Sequence, residues 1–133
     1  MDKLATVVQQ FLKPEGKFVM VEFHPVLNMI GWKWDGTLPY SYFNQGVLLE
    51  ESEGSYTDRS APIKNMAAEW DHSLEEVFTA LLNQKLQLTH FQEHDYSPYN
   101  CFEEATKLAD GNWQIKGIEG IVPLIFSLVA CNF

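Results

Sequence analysis

The sequence predicts an α/β domain, and three observations carry the prediction. Leu4, Val7, Val8, Phe11 and Leu12 recur at helical spacing. After a proline-glycine turn, FVMVEF is a mostly apolar run of strand length. Ser73 and Glu76 then form a capping box ahead of a second helical period. Helix, strand, helix and strand in that order is the alternation of an α/β chain.

Taken in order, the first helix has Asp2 available as its N-cap and stops at Lys13-Pro14, because a residue before proline resists the α region. Lys17–Phe23 follows as a strand that reads as buried on both faces, ending in Glu22, His24 and Pro25. Residues 26–69 have no helical period and hold Trp32, Trp34, Tyr40, Tyr42, Phe43 and Tyr56 among glycines and prolines. Small antiparallel strands and loops are expected there, as an insertion. The capped helix carries Leu74, Val77, Phe78, Leu81 and Leu82, and LQLTHFQEH after it reads as a strand. Residues 95–120 are a long excursion with a short helix expected at 102–109, and VPLIFSLVACNF closes the chain as a buried strand. One domain over 1–133 results, with a helix and strand in 1–25, the insertion in 26–69, and a helix and antiparallel strand pair in 70–133.

Composition narrows the function classes. A formal charge of −9 with scattered cations excludes the clustered Lys and Arg that nucleic acid demands. The most apolar stretch, near 121–131, is broken by Pro123 and is too short for a membrane span. With no signal-peptide pattern and only Cys101 and Cys131, a reducing cytoplasm is the expected location. HFQEH matches the H-x-x-E-H metal pattern, but that pattern needs a helix. On a strand His90 and His94 stand about 13 Å apart, too far to share one ion, so no metal is expected. There is no G-x-S-x-G elbow either.

The order of elements resembles the C-terminal half of class I S-adenosylmethionine-dependent methyltransferases. LKPEGKFVMVEFHP is similar to their L-K-P-G-G turn and fifth strand, with Glu15 standing at the first glycine. WDHSLEEVFTALLNQKLQLTHFQEH resembles the last helix and sixth strand, and PLIFSLVACNF the seventh. HDYSPYNCF, with EFHP upstream, is similar to a bacterial branch acting on small molecules. The resemblance implies a partial Rossmann-like sheet of order 5-7-6 with the last strand antiparallel. It also implies S-adenosylmethionine as cofactor. The Gly-rich turn and ribose-binding acid of the first half of that fold are missing, since Gly117 and Gly120 precede a strand instead of following one.

In open α/β sheets ligands gather at the carboxyl ends of strands. His24 is the expected base and Glu22 its orienting acid. Trp32, Tyr40, Tyr42 and Phe43, with Tyr99 and Asn100 from the loop after the sixth strand, are the expected substrate contacts. The chain is expected to be the substrate-side portion of a small-molecule methyltransferase and not competent alone. The alternative is a non-catalytic, self-associating module derived from one. A strand left without its neighbour is an aggregation hazard. The expected partner is therefore a second copy, or a complementary N-terminal half.

Overall fold

The computed structural model describes residues 1–133 except 56, 57 and 59; Tyr56 therefore lies outside the described residues. Its elements are α1 (Asp2–Phe11), β1 (Lys17–Phe23), α2 (Pro25–Ile30), β2 (Leu48–Glu53), β3 (Lys64–Glu69), α3 (Leu74–Asn83), β4 (Gln87–His94), β5 (Ala105–Lys107), β6 (Trp113–Ile115) and β7 (Ile125–Cys131). The fold is mixed α/β with antiparallel sheets. The main sheet runs β1-β7-β4, so the last strand lies between the other two and is antiparallel to both. Two-stranded ladders β2-β3 and β5-β6 stand apart from it.

Side-chain alternation sets one face of the main sheet against the helices. Phe18 and Met20 of β1, Phe126, Leu128 and Ala130 of β7, and Leu88 of β4 pack with Ala5 and Val8 of α1, Leu12 just after it, and Val77, Ala80 and Leu81 of α3. The capping box is formed as the sequence indicates: Glu76 N–H donates to Ser73 Oγ at 3.2 Å, and Ser73 N–H to the Glu76 carboxylate at 3.1 Å. Met1 is the N-cap of α1, with Asp2 in the first turn, where its charge favours the helix dipole. Among the described residues no helix is long and apolar enough to cross a membrane.

Besides the N-cap, which is Met1 and not Asp2, three expectations change. β1 is not buried on both faces, because α1 and α3 cover the same side of the sheet; Val19 and Val21 are 61% and 60% exposed. An apolar run has no signature that tells a central strand from a sheet edge. The helix expected at 102–109 does not form. Residues 105–107 and 113–115 pair across a turn in which the Asp110 carboxylate accepts from the Asn112 amide and Gly111 takes φ +92°. Finally, Pro25 does more than end a strand. It opens α2 inside the expected non-helical insertion, because its fixed φ suits a first helical position.

A second core lies beyond the carboxyl end of β1. Leu27 and Ile30 of α2 pack there with Phe102, Ile115, Ile118 and Leu124. This cluster seats the loops that form the candidate site.

Candidate functional site: an aromatic cleft at the end of the first strand

Phe23, the last residue of β1, starts the site. Trp32 meets its ring edge-on at 5.3 Å between centroids and Tyr99 at 6.2 Å. Each aromatic is held from below. Trp32 follows α2 and accepts the Glu103 amide on its carbonyl, while its ring lies 6.5 Å from the buried Phe102. Tyr99 sits in a loop pinned by the fully buried Ser97. The Ser97 backbone bridges Trp113 through two 2.8 Å bonds, and its hydroxyl donates to the Tyr99 carbonyl at 2.8 Å. Asn100 accepts the Phe102 amide on its side chain at 3.3 Å. With Ser52–Ser55 and Asn65 of the β2-β3 hairpin opposite, these residues line a cleft of about 950 Å³.

Trp32 also walls a second, smaller cleft of about 510 Å³ with Tyr40, Asn28, Glu50, Glu69 and Asp71. The Tyr40 hydroxyl donates to Glu50 at 2.8 Å, and that carboxylate pushes the phenol pKa up. Asn28 donates to Asp71 at 2.8 Å. Burial raises the Asp71 carboxyl above its ordinary range, against the lowering effect of that hydrogen bond.

Of the residues expected at the site, the structure gathers Trp32, Tyr99 and Asn100 in the main cleft and Tyr40 in the adjoining one. Tyr42 and Phe43 line neither. The Tyr42 hydroxyl accepts the Leu74 amide at 3.3 Å, serving the start of α3, and Phe43 packs on Tyr42 while 62% exposed.

His24 is buried and both its ring nitrogens are engaged. Nδ1 accepts from the Val26 amide at 3.1 Å, capping α2, so the proton resides on Nε2, which donates to Glu93 at 3.0 Å. Burial lowers its pKa below the ordinary value, against the raising effect of Glu93. The Glu22 carboxylate is exposed and makes no hydrogen bond or ion pair among the described residues. The acid that orients His24 is Glu93, which the sequence reading held only as part of HFQEH. Its face was hidden by an irregularity: the β4–β7 register shifts between Leu88 and His90. After it, Glu93 stands opposite Phe126 on the helix-covered face, while His90 and His94 fall on the other.

The residues present do not fit the cofactor pocket of a complete methyltransferase. That pocket needs a glycine turn between a strand and a helix, where the backbone can approach closely. Here β1 enters the six-residue α2 through His24-Pro25. The glycines at positive φ near β7, Gly117 and Gly120, lie ahead of that strand.

Comparison with solved structures gives a likeness of fold. The chain shares its fold with a crystal structure from Listeria monocytogenes of a protein proposed to be an S-adenosylmethionine dependent methyltransferase. The TM-score is 0.61 at 15% identity, over 100% of this chain and 55% of that one. The chain thus spans about half the length of that neighbour. No protein-family model matches the chain, and no curated protein matches it.

Proposed function

We propose that this chain is the substrate-side portion of an S-adenosylmethionine-dependent methyltransferase acting on a small molecule. In this reading β1, β7 and β4 correspond to the fifth, seventh and sixth strands of that sheet, in its C-terminal half. The observation that carries the proposal is an aromatic cleft at the carboxyl end of β1, in a fold that matches the Listeria structure over the whole chain. Trp32 and Tyr99 would stack a flat or apolar substrate, with Asn100 supplying a polar contact. His24 and Glu93 hold the end of β1 and the start of α2 in place; proton transfer is not assigned to His24, because both nitrogens are engaged. Binding of S-adenosylmethionine is assigned to the half of the sheet that this chain does not span, so the chain alone is not catalytically competent.

Calorimetry with S-adenosylmethionine, and ligand-observed NMR with a panel of small planar heteroaromatic compounds, test the reading. The expected result is no cofactor binding by the chain alone. Some planar compounds should bind, and Trp32→Ala or Tyr99→Ala should abolish their signal while Phe43→Ala leaves it unchanged. Tight cofactor binding refutes the division of labour, and planar binding that survives both substitutions refutes the site. A second reading, a non-catalytic binding module, is favoured by the lack of a cofactor turn; it predicts no methyl transfer even when an N-terminal half is supplied.

A further inference from the structure

The two clefts share more than Trp32. Strand β2 runs along both, with Leu48 and Glu50 lining the smaller cleft and Ser52 the larger. Alternation puts these three on one face of the β2-β3 ladder, with their cross-strand partners Glu69, Ala67 and Asn65. The half-buried positions of the two strands, Leu48, Glu50 and Ala67, all fall on this face, which is therefore the one turned to the clefts. Lys64 is the only Lys or Arg in the two strands, and it has the opposite parity. It lies with Glu51 and Glu53 and pairs with them at 3.8 and 3.0 Å.

The cleft side of the ladder is thus left with acids that no cation balances. Glu50 accepts from the Tyr40 hydroxyl and Asp71 from the Asn28 amide, both neutral donors. Glu69 makes no ion pair among the described residues. His72, next to Asp71, is taken by Glu76 at 3.2 Å. Burial raises the Asp71 carboxyl, and the charge on Glu50 adds to the rise, so the two acids are close enough to repel. No Lys, Arg or His is among the described residues lining either cleft. The rings of Trp32 and Tyr40 wall the same space as Glu50 and Asp71. A cleft with aromatic walls and unbalanced carboxylates offers both attractions that hold an organic cation: its charge over a ring face and its N–H groups on an anion.

We propose that the substrate is an arylalkylamine, its planar ring held by Trp32 and Tyr99 in the larger cleft and its protonated amine seated in the smaller one against Glu50 and Asp71. This rests on the reading of the larger cleft as the substrate site and adds a charge and a second anchor to it. Glu50 and Ser52 are two residues apart on β2, about 6.5 Å, a span that a short alkyl chain bridges. The same carboxylates work against substrates that carry a carboxylate or phosphate.

Three probes with one ring separate charge from shape: tryptamine, 3-propylindole and indole-3-propionate. Dissociation constants are read by ligand-observed NMR titration of the full chain at pH 7.5 and low salt. Tryptamine should bind about 10-fold tighter than 3-propylindole, with indole-3-propionate weakest. Asp71→Asn combined with Glu50→Gln keeps an acceptor for Asn28 and for Tyr40, and should bring tryptamine to the affinity of 3-propylindole. Added salt should close the same gap in the wild type. Far-UV circular dichroism checks the fold, and Asp71→Asn alone, expected to weaken tryptamine about 3-fold, decides if the double variant is not folded. Equal binding of tryptamine and 3-propylindole, both lost in Trp32→Ala, overturns this proposal and leaves the aromatic site standing. A preference for tryptamine that survives the substitutions overturns it as well. Binding of none of the three removes the aromatic site itself, and this proposal with it.

Discussion

Replacing His24 with alanine tests how the end of β1 is held. Three contributions are lost together. The Nδ1 cap on Val26 contributes about 1 kcal/mol. The Nε2 bond to Glu93 contributes about 0.5–1 kcal/mol once discounted for a carboxylate that is 49% exposed. Burial of the ring edge-on to Phe126 contributes about 1 kcal/mol. The sum is about 2–3 kcal/mol, or a fall in melting temperature of about 10 °C. Urea unfolding at pH 7.5 measures it directly. His24→Asn should recover about 1 kcal/mol, because asparagine caps well but does not reach Glu93. The dependence on pH has a definite sign. The folded pKa lies below the unfolded value of 6.5, so the unfolded chain binds the proton first. This contribution is fully present above 6.5 and is lost as pH falls toward the folded pKa. The gap between wild type and His24→Ala should therefore narrow between pH 7.5 and 5.5. A His24→Ala midpoint indistinguishable from wild type at pH 7.5, or His24→Asn no better than alanine, refutes the cap.

Further outcomes follow from the same geometry. Glu15 occupies φ +60°, so Glu15→Gly should stabilise the chain by about 0.5–1 kcal/mol, read as a raised urea midpoint. Ser73→Ala should lower stability by about 1 kcal/mol through loss of the α3 cap, with the slope against urea unchanged. Leu128→Ala empties a fully buried position between the helices and the sheet and should cost about 2–5 kcal/mol, measured in the same titration. The raised Asp71 carboxyl means its charge is disfavoured in the folded state, a penalty relieved as pH falls through its pKa. Asp71→Asn should accordingly raise the melting temperature slightly at pH 7 and lose that advantage in acid.

The parts of the molecule legible in the sequence are those whose pattern is local. The helical period from Leu4 to Leu12, the Ser73–Glu76 box and the run before Cys131 each announce themselves within a few turns or residues. Even the departure at Glu15 was visible, as an acid where a glycine is expected, and the structure gives it a positive φ. What was hidden depends on neighbours distant in sequence. Burial of β1 on one face only depends on which side both helices choose. The partner of His24 lies 69 residues away, and no local rule pairs them. Tyr42 looked like a pocket aromatic because its composition is that of one, yet its hydroxyl is used at Leu74, 32 residues on.

The register break at Thr89 reaches further than its size suggests. Thr89 is the extra residue, its hydroxyl donating to the Val129 carbonyl at 3.3 Å, and every β4 position after it has the opposite parity from an unbroken ladder. Drawing Thr89 into the ladder would set Phe91 opposite Ser127 and away from Phe78, put Gln92 in place of an acid opposite Phe126, and carry Glu93 to the uncovered side opposite Ile125. Insertions and deletions between His90 and His94 should therefore be far harder to accept than loss of Thr89 itself or changes in the hairpin loop after Glu53. A single threonine acts as the phase marker that keeps two halves of one strand reading correctly.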